Sequence, residues 1–213
     1  MRVLKVDSAD PDVAAVREAA AVIRAGGLVI FPTETVYGLA ANALDPQAVM
    51  KVFEAKKRPL MAALPVQVGY RAKLEEVSDE LSEAARLLSE RWMPGPITLV
   101  VRRKAGIPDI VTAGGDTVGV RIPDDPVALA ILREVGTPIV ATSANVSGEP
   151  DPRDAEEAIR QVGAFVEVVL DAGPARYGMA STVVDTTVAP PRILRAGAIS
   201  ADEIRKTVGE LVE

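Results

Sequence analysis

Four cations, Lys51, Lys56, Lys57 and Arg58, gather just before Pro59. Lys56 and Arg58 are two residues apart where a helical pattern stops, so an extended exit turns both to one side, where they could meet a polyanion. Cations at a helix C-terminus also have an ordinary use, complementing the helix dipole. The segment Phe31-Pro32-Thr33-Glu34-Thr35-Val36-Tyr37-Gly38-Leu39 brings hydroxyls, a carboxylate and a glycine to the exit of an expected strand, a common place for ligand contacts. The plainer reading is a turn whose Thr and Glu side chains satisfy local backbone. A second strand exit, from Val140 through Thr142, Ser143, Asn145 and Ser147 to Gly148, is dense in small donors that can approach phosphate oxygens closely. Arg121 stands inside the apolar run Val118–Pro123. On a buried face it would need an anionic partner or ligand; on the other it would point to solvent. Ser181, Thr182, Arg192 and Arg195 add hydroxyls and arginines near further strand ends, and no GxxxxGK[ST] or GxGxxG cradle occurs.

The chain has no Cys and no His, which removes disulfides, thiolate nucleophiles, Cys- or His-ligated metals and imidazole bases. Catalysis would have to use carboxylates, Lys, Arg, hydroxyls, amides or backbone. With 24 basic against 30 acidic residues the formal charge is −6, which argues against nucleic-acid binding by the whole surface but leaves room for a local basic pocket. No apolar run approaches the roughly 20 residues of a membrane span, and the N-terminus lacks a signal-peptide core. A soluble, cytoplasmic protein without a membrane partner is expected.

The elements that must position these groups are punctuated by Asp-Pro. At Asp10-Pro11, Asp45-Pro46, Asp125-Pro126 and Asp151-Pro152 the pair precedes an apolar-periodic stretch, as for an N-cap carboxylate followed by Pro at the first helical position. Ser78 before Leu81, Ala84, Ala85 and Leu88, and Ser200 with Glu203, predict two more helices. Runs at 28–31, 64–68, 97–101, 118–122, 138–141, 166–170, 182–185 and 193–194 read as strands. Trp92 reads as a core anchor, and Arg102-Arg103-Lys104 as a solvated sheet edge. Strands with and without intervening helices predict an α/β fold whose mixed sheet, parallel and antiparallel, is flanked by helices. A single domain over 1–213 is expected.

Taken together, Pro32-Thr33-Glu34-Thr35-Val36-Tyr37-Gly38-Leu39, Lys56-x-Arg58-Pro59, Pro94-Gly95-Pro96-x-Thr98, Val120-Arg121-Ile122-Pro123, Thr142-Ser143-Ala144-Asn145-x-Ser147-Gly148, Ser181-Thr182-Val183-Val184-Asp185 and Leu194-Arg195-x-Gly197 resemble the YrdC/Sua5 family of threonylcarbamoyl-AMP synthases, in family order over nearly the whole chain. The resemblance implies a twisted mixed sheet around a deep, positively charged cavity, in the short single-domain form. It implies condensation of L-threonine, bicarbonate and ATP to threonylcarbamoyl-adenylate and pyrophosphate, for N6-threonylcarbamoyladenosine (t6A) formation in certain tRNAs. The product would pass to a downstream t6A transferase complex, with tRNA contact indirect or weak, and Mg2+ is expected with ATP, held mainly by phosphates and water.

Carried over by motif, the Lys-x-Arg and Ser-x-Asn signature maps onto Lys56, Arg58, Ser143 and Asn145 as the catalytic, ATP-binding set, with Thr117 and Arg195 also on the nucleotide. Thr33, Thr35, Arg121, Thr142 and Ser181 would line the threonine side. Many relatives carry a His near that side where this chain reads Ala63-Leu64-Pro65-Val66-Gln67-Val68, so Gln67 is expected to donate a hydrogen bond instead. Two other readings compete: a non-catalytic RNA-binding module, and an enzyme forming carbamoyl-adenylate from another donor.

Overall fold

Residues 1–212 are described in a computed structural model. Seven α-helices, α1 (Val13–Arg24), α2 (Pro46–Lys56), α3 (Glu83–Trp92), α4 (Asp109–Thr112), α5 (Pro126–Val135), α6 (Ala155–Val162) and α7 (Ala201–Val208), accompany ten strands. These are β1 (Arg2–Lys5), β2 (Val29–Phe31), β3 (Gly38–Asn42), β4 (Val66–Gln67), β5 (Ile97–Arg102), β6 (Thr117–Arg121), β7 (Ile139–Ser143), β8 (Val168–Asp171), β9 (Thr182–Asp185) and β10 (Arg192–Arg195). They form one sheet in the order β1-β8-β2-β3-β7-β4-β6-β5-β9-β10. Pairings β1/β8, β2/β8, β4/β6 and β5/β9 are parallel and the rest antiparallel, the mixed sheet expected.

Asp45 and Asp125 cap α2 and α5 as expected, each followed by Pro inside the first turn. The other two Asp-Pro pairs do not cap: Asp12 accepts from Ala15 N–H to start α1, and Asp154 accepts from Glu157 N–H to start α6. Ser82, not Ser78, caps α3, and Ser200 with Glu203 closes a capping box on α7. The Arg102–Lys104 segment is not an edge, because β5 lies between β6 and β9 and Arg103 folds back onto Asp109. Trp92 is partly buried against the core, and its indole N–H donates to Thr207 Oγ1 at 3.2 Å.

Side-chain alternation assigns the two faces. Leu28, Ile30, Val66, Val68, Leu99, Val101, Val118, Val120 and Val184 belong to the larger apolar cluster, covered by α2, α3, α6 and α7. Val29, Phe31, Ile139, Ala141 and Leu170 face the other way, onto α1 and α5. Those two helices cover only the part of that face made by β8, β2, β3 and β7. Across β4, β6, β5 and β9 the same face bears Gln67, Gly119, Arg121, Thr98 and Val183, with Gln67 in register with Ile139 on one side and Arg121 on the other.

Candidate active site

This uncovered face bounds a cavity of about 280 Å³. Into its wall come Thr33 and Thr35 from the β2–β3 turn, Arg58 from beyond α2, and Gln67, Thr98 and Arg121 from adjacent strands. Thr142 and Ser143 reach it from the end of β7, Ser181 from the start of β9 and Arg195 from β10. Three arginines and one aspartate, Asp151, are thus set around a space whose other polar groups are hydroxyls and one amide.

The exit of α2 is built around Lys56, which is 2% exposed. Its ammonium donates to Ser143 O and Asn145 O, both at 2.6 Å, and to Asn145 Oδ1 at 3.0 Å, so all three of its protons are committed. Asn145 Nδ2 in turn donates to Glu149 O at 2.6 Å, and Ser147 N–H donates to Lys56 O at 2.8 Å. Lys56 therefore staples the Ser143–Glu149 loop to the helix end. Burial lowers its pKa to about 8, reinforced by Arg58 and opposed by Asp151. Lys57 is exposed and left-handed at φ 49°, which turns the chain so that Arg58 faces the cavity. Arg58 spends two donors on Ala62 O and Ala63 O, at 3.0 and 2.8 Å, and keeps the rest of its fork free.

Arg121 is turned inward, which settles the two orientations open from the sequence. It donates to Thr35 Oγ1 at 2.9 Å and to Gly95 O at 3.3 Å, and its Nη2 lies 2.7 Å from Glu34 Oε2. Neither Glu34 oxygen has a hydrogen-bond partner among the described residues, so this contact is charge pairing without hydrogen-bond alignment. Glu34 is 1% exposed, and a carboxylate so buried persists only because the guanidinium is beside it. Thr33 organises the turn: its hydroxyl donates to Val36 O at 2.6 Å and lies 2.8 Å from Thr35 Oγ1. The local-turn reading and the ligand reading of this segment are therefore compatible, because the turn that satisfies its own backbone also presents both threonines to the cavity.

On the opposite wall Ser181 Oγ lies 2.9 Å from Thr98 Oγ1, and Arg195 donates to Ser181 O at 2.8 Å and Ser181 Oγ at 3.1 Å. Gly197 explains the spacing after Arg195. A Cβ there would sit 2.4 Å from the backbone of Ser181 and Thr182, so only glycine lets the segment after β10 approach so closely.

Two residues of the expected catalytic set, Lys56 and Asn145, lie behind the wall and not in it, whereas Arg58 and Ser143 line it. Thr117 shares the sheet face of Gly119 and Arg121 but pairs with Arg102 at the far end of β6 and is not brought to the cavity. Gln67 is buried in the wall with its Oε1 unpartnered. Glu34 and Asp151 were not singled out by sequence reasoning. The signal for Glu34 was its place beside Thr33 and Thr35; for Asp151 it was obscured by its resemblance to a helix cap.

A family model described as telomere recombination, spanning the Sua5, YciO and YrdC proteins, matches residues 21–197. The chain belongs to this family. A curated threonylcarbamoyl-AMP synthase of Pyrococcus abyssi is 44% identical over 196 residues, 92% of this chain and 58% of the relative. One from Bacillus subtilis is 41% identical over 203 residues, 95% of this chain and 58% of the relative. A putative threonylcarbamoyl-AMP synthase of Mycobacterium tuberculosis is 42% identical over 206 residues, covering 95% of this chain and 94% of its own length. The chain thus spans less than two thirds of the first two relatives. The crystal structure of P. abyssi Sua5 complexed with L-threonine superposes with a TM-score of 0.96 at 41% identity, over all of this chain and 62% of that one. Escherichia coli YciO shares the fold with a TM-score of 0.86 at 22% identity. Among the described residues no helix is long and apolar enough to cross a membrane.

Proposed function

We propose that the chain is a threonylcarbamoyl-AMP synthase, condensing L-threonine, bicarbonate and ATP to threonylcarbamoyl-adenylate and pyrophosphate. The observation that carries the reading is the convergence of Arg58, Arg121 and Arg195 with Thr33, Thr35, Ser143 and Ser181 on one cavity. Its likeness to the threonine-complexed P. abyssi structure supports the amino-acid side of that assignment.

Nearly every reactant is anionic, so the site's task is to hold like charges together in line, with preorganised donors doing most of the work. Arg121, oriented by Glu34 and Thr35, takes the amino-acid carboxylate, and Thr33, Thr142, Ser181 and Gln67 surround the rest of threonine. Arg58 and Arg195 take the phosphates with bidentate forks. Ser143 orients them from a loop that Lys56 and Asn145 hold in place. The amine of threonine condenses with bicarbonate, forming a carbamate as the C–N bond is made and water leaves. A carbamate oxygen then bonds to the α-phosphorus as the bond to the β,γ-pyrophosphate breaks. Threonine supplies its own nucleophile, so a chain without histidine can run the reaction. Mg2+ bound with ATP would neutralise phosphate charge in this displacement. The adenylate would serve a cytoplasmic t6A transferase complex, with tRNA contact indirect.

The test is pyrophosphate release with L-threonine present or omitted, with mass spectrometry of the adenylate. Threonine-dependent release with the expected mass is the predicted result. Release supported by carbamoyl phosphate and not by threonine with bicarbonate would replace this reading with the carbamoyl-adenylate one, and RNA binding without ATP binding would replace it with the RNA-binding module.

A further inference from the structure

Asp151 stands in the cavity wall with Arg58, Arg121 and Arg195, the one carboxylate there. It does no capping, since Asp154 caps α6, and it is half-buried. Among the described residues its carboxylate accepts no hydrogen bond and forms no ion pair at contact distance. Burial draws Lys56 and Arg195 below their ordinary values, and the Asp151 charge opposes that draw in both, so it sits within electrostatic reach of Arg195, one of the two arginines assigned to the phosphates, and of Lys56 behind the wall. A free carboxylate at that place repels a triphosphate. A hard divalent cation reverses the sign, because Mg2+ combines one or two carboxylates with substrate phosphates and water in preference to an all-protein cage. No group of three or more acidic residues among the described residues could hold a metal alone, so any metal here must share its ligands with the nucleotide.

We infer that Asp151 supplies a protein oxygen ligand to the Mg2+ that enters with ATP, which couples metal and nucleotide binding in this cavity. The inference rests on the ATP-dependent reading above. It is tested on the purified chain and its Asp151→Asn variant by titrating ATP calorimetrically in Mg2+ and in EDTA, with no threonine or bicarbonate. The wild type is expected to bind ATP on the order of tenfold more tightly with Mg2+ than without. D151N is expected to lose that advantage and to bind metal-free ATP more tightly than the wild type, since the repelling charge is gone. The electron paramagnetic resonance spectrum of Mn2+ with ATP should change on adding the wild type and differ on adding D151N. An undiminished Mg2+ advantage in D151N, or metal-free ATP binding no tighter than in the wild type, would overturn the inference. In either case wild-type ATP binding and threonine-dependent pyrophosphate release would leave the functional reading standing. A wild type that binds no ATP in either buffer would sink both.

Discussion

If Lys56 is a staple and not a phosphate ligand, its loss and that of Asn145 must be coupled. Lys56→Met removes three hydrogen bonds from an ammonium, each contributing about 1.5–3 kcal/mol, and leaves buried carbonyl oxygens without donors. It also removes the cost of burying the charge: the fall of the pKa from 10.5 to about 8 corresponds to roughly 3 kcal/mol at neutral pH. The lost hydrogen bonds outweigh that relief, so the single variant should lose about 1.5–6 kcal/mol of global stability while the Ser143–Glu149 loop loses its anchor. Asn145→Ala leaves the ammonium charged and short of one acceptor, and frees Glu149 O as well. In Lys56→Met/Asn145→Ala the shared bond is already gone, so the double variant should be about 1.5–3 kcal/mol more stable than the sum of the single losses. Urea denaturation of the four proteins at pH 7 measures this, and ATP titration should show both single variants weakened. Additivity within about 0.5 kcal/mol would refute the staple and leave the ammonium free to meet phosphate directly.

Arg121→Met should cost about 3–5 kcal/mol, because it strands the buried Glu34 carboxylate, and adding Glu34→Gln should recover much of it; equal stability of the single and double variants in urea would show that the pair is not coupled. Asp125 is raised from 3.8 to about 6, chiefly by burial, so its charged form opposes folding fully above pH 6, progressively less down to 3.8, and not below. Asp125→Asn keeps a cap for Ala128 N–H and should stabilise the protein by on the order of 1 kcal/mol at pH 7.5, after allowance for partial exposure, with no gain below pH 3.8; thermal melts showing the same gain at both pH values would contradict this. Gly197→Ala should lose about 1–3 kcal/mol or more by pushing the 180–182 backbone away from residue 197, whereas Gly106→Ala, with nothing within 4 Å of its Cβ, should melt like the wild type.

The parts of the fold legible in the sequence are those set by local chemistry. Asp45, Asp125 and Ser200 cap as their spacing requires, but Asp10 and Asp151 do not, since Asp12 and Asp154 offer the same carboxylate closer to the first turn. Strand β3 is not among the strands expected from the sequence, because Gly38-Leu39-Ala40-Ala41-Asn42 contains no β-branched residue. Its small residues are a consequence of central placement: Ala40 and Ala41 are fully buried on opposite faces, and a Cβ on Gly38 would lie 2.8 Å from the Phe31 ring. That crowding comes from β2 and β7, which no local pattern announces. The site is legible in the same degree. Its motif residues are visible one by one, yet whether Arg121 faces solvent or a ligand depends on which sheet face the helices leave bare. Val118, Val120 and Ile122 fix the covered face, so Gly119 and Arg121 must occupy the other, and α1 and α5 stop short of it. A sheet ten strands wide flanked on that side by only two long helices has more face than they can cover. The uncovered part cannot stay apolar, and the polar residues placed there, Gln67, Thr98, Arg121 and Ser181, become the lining of a cavity once β9 and the β7 exit loop close around them.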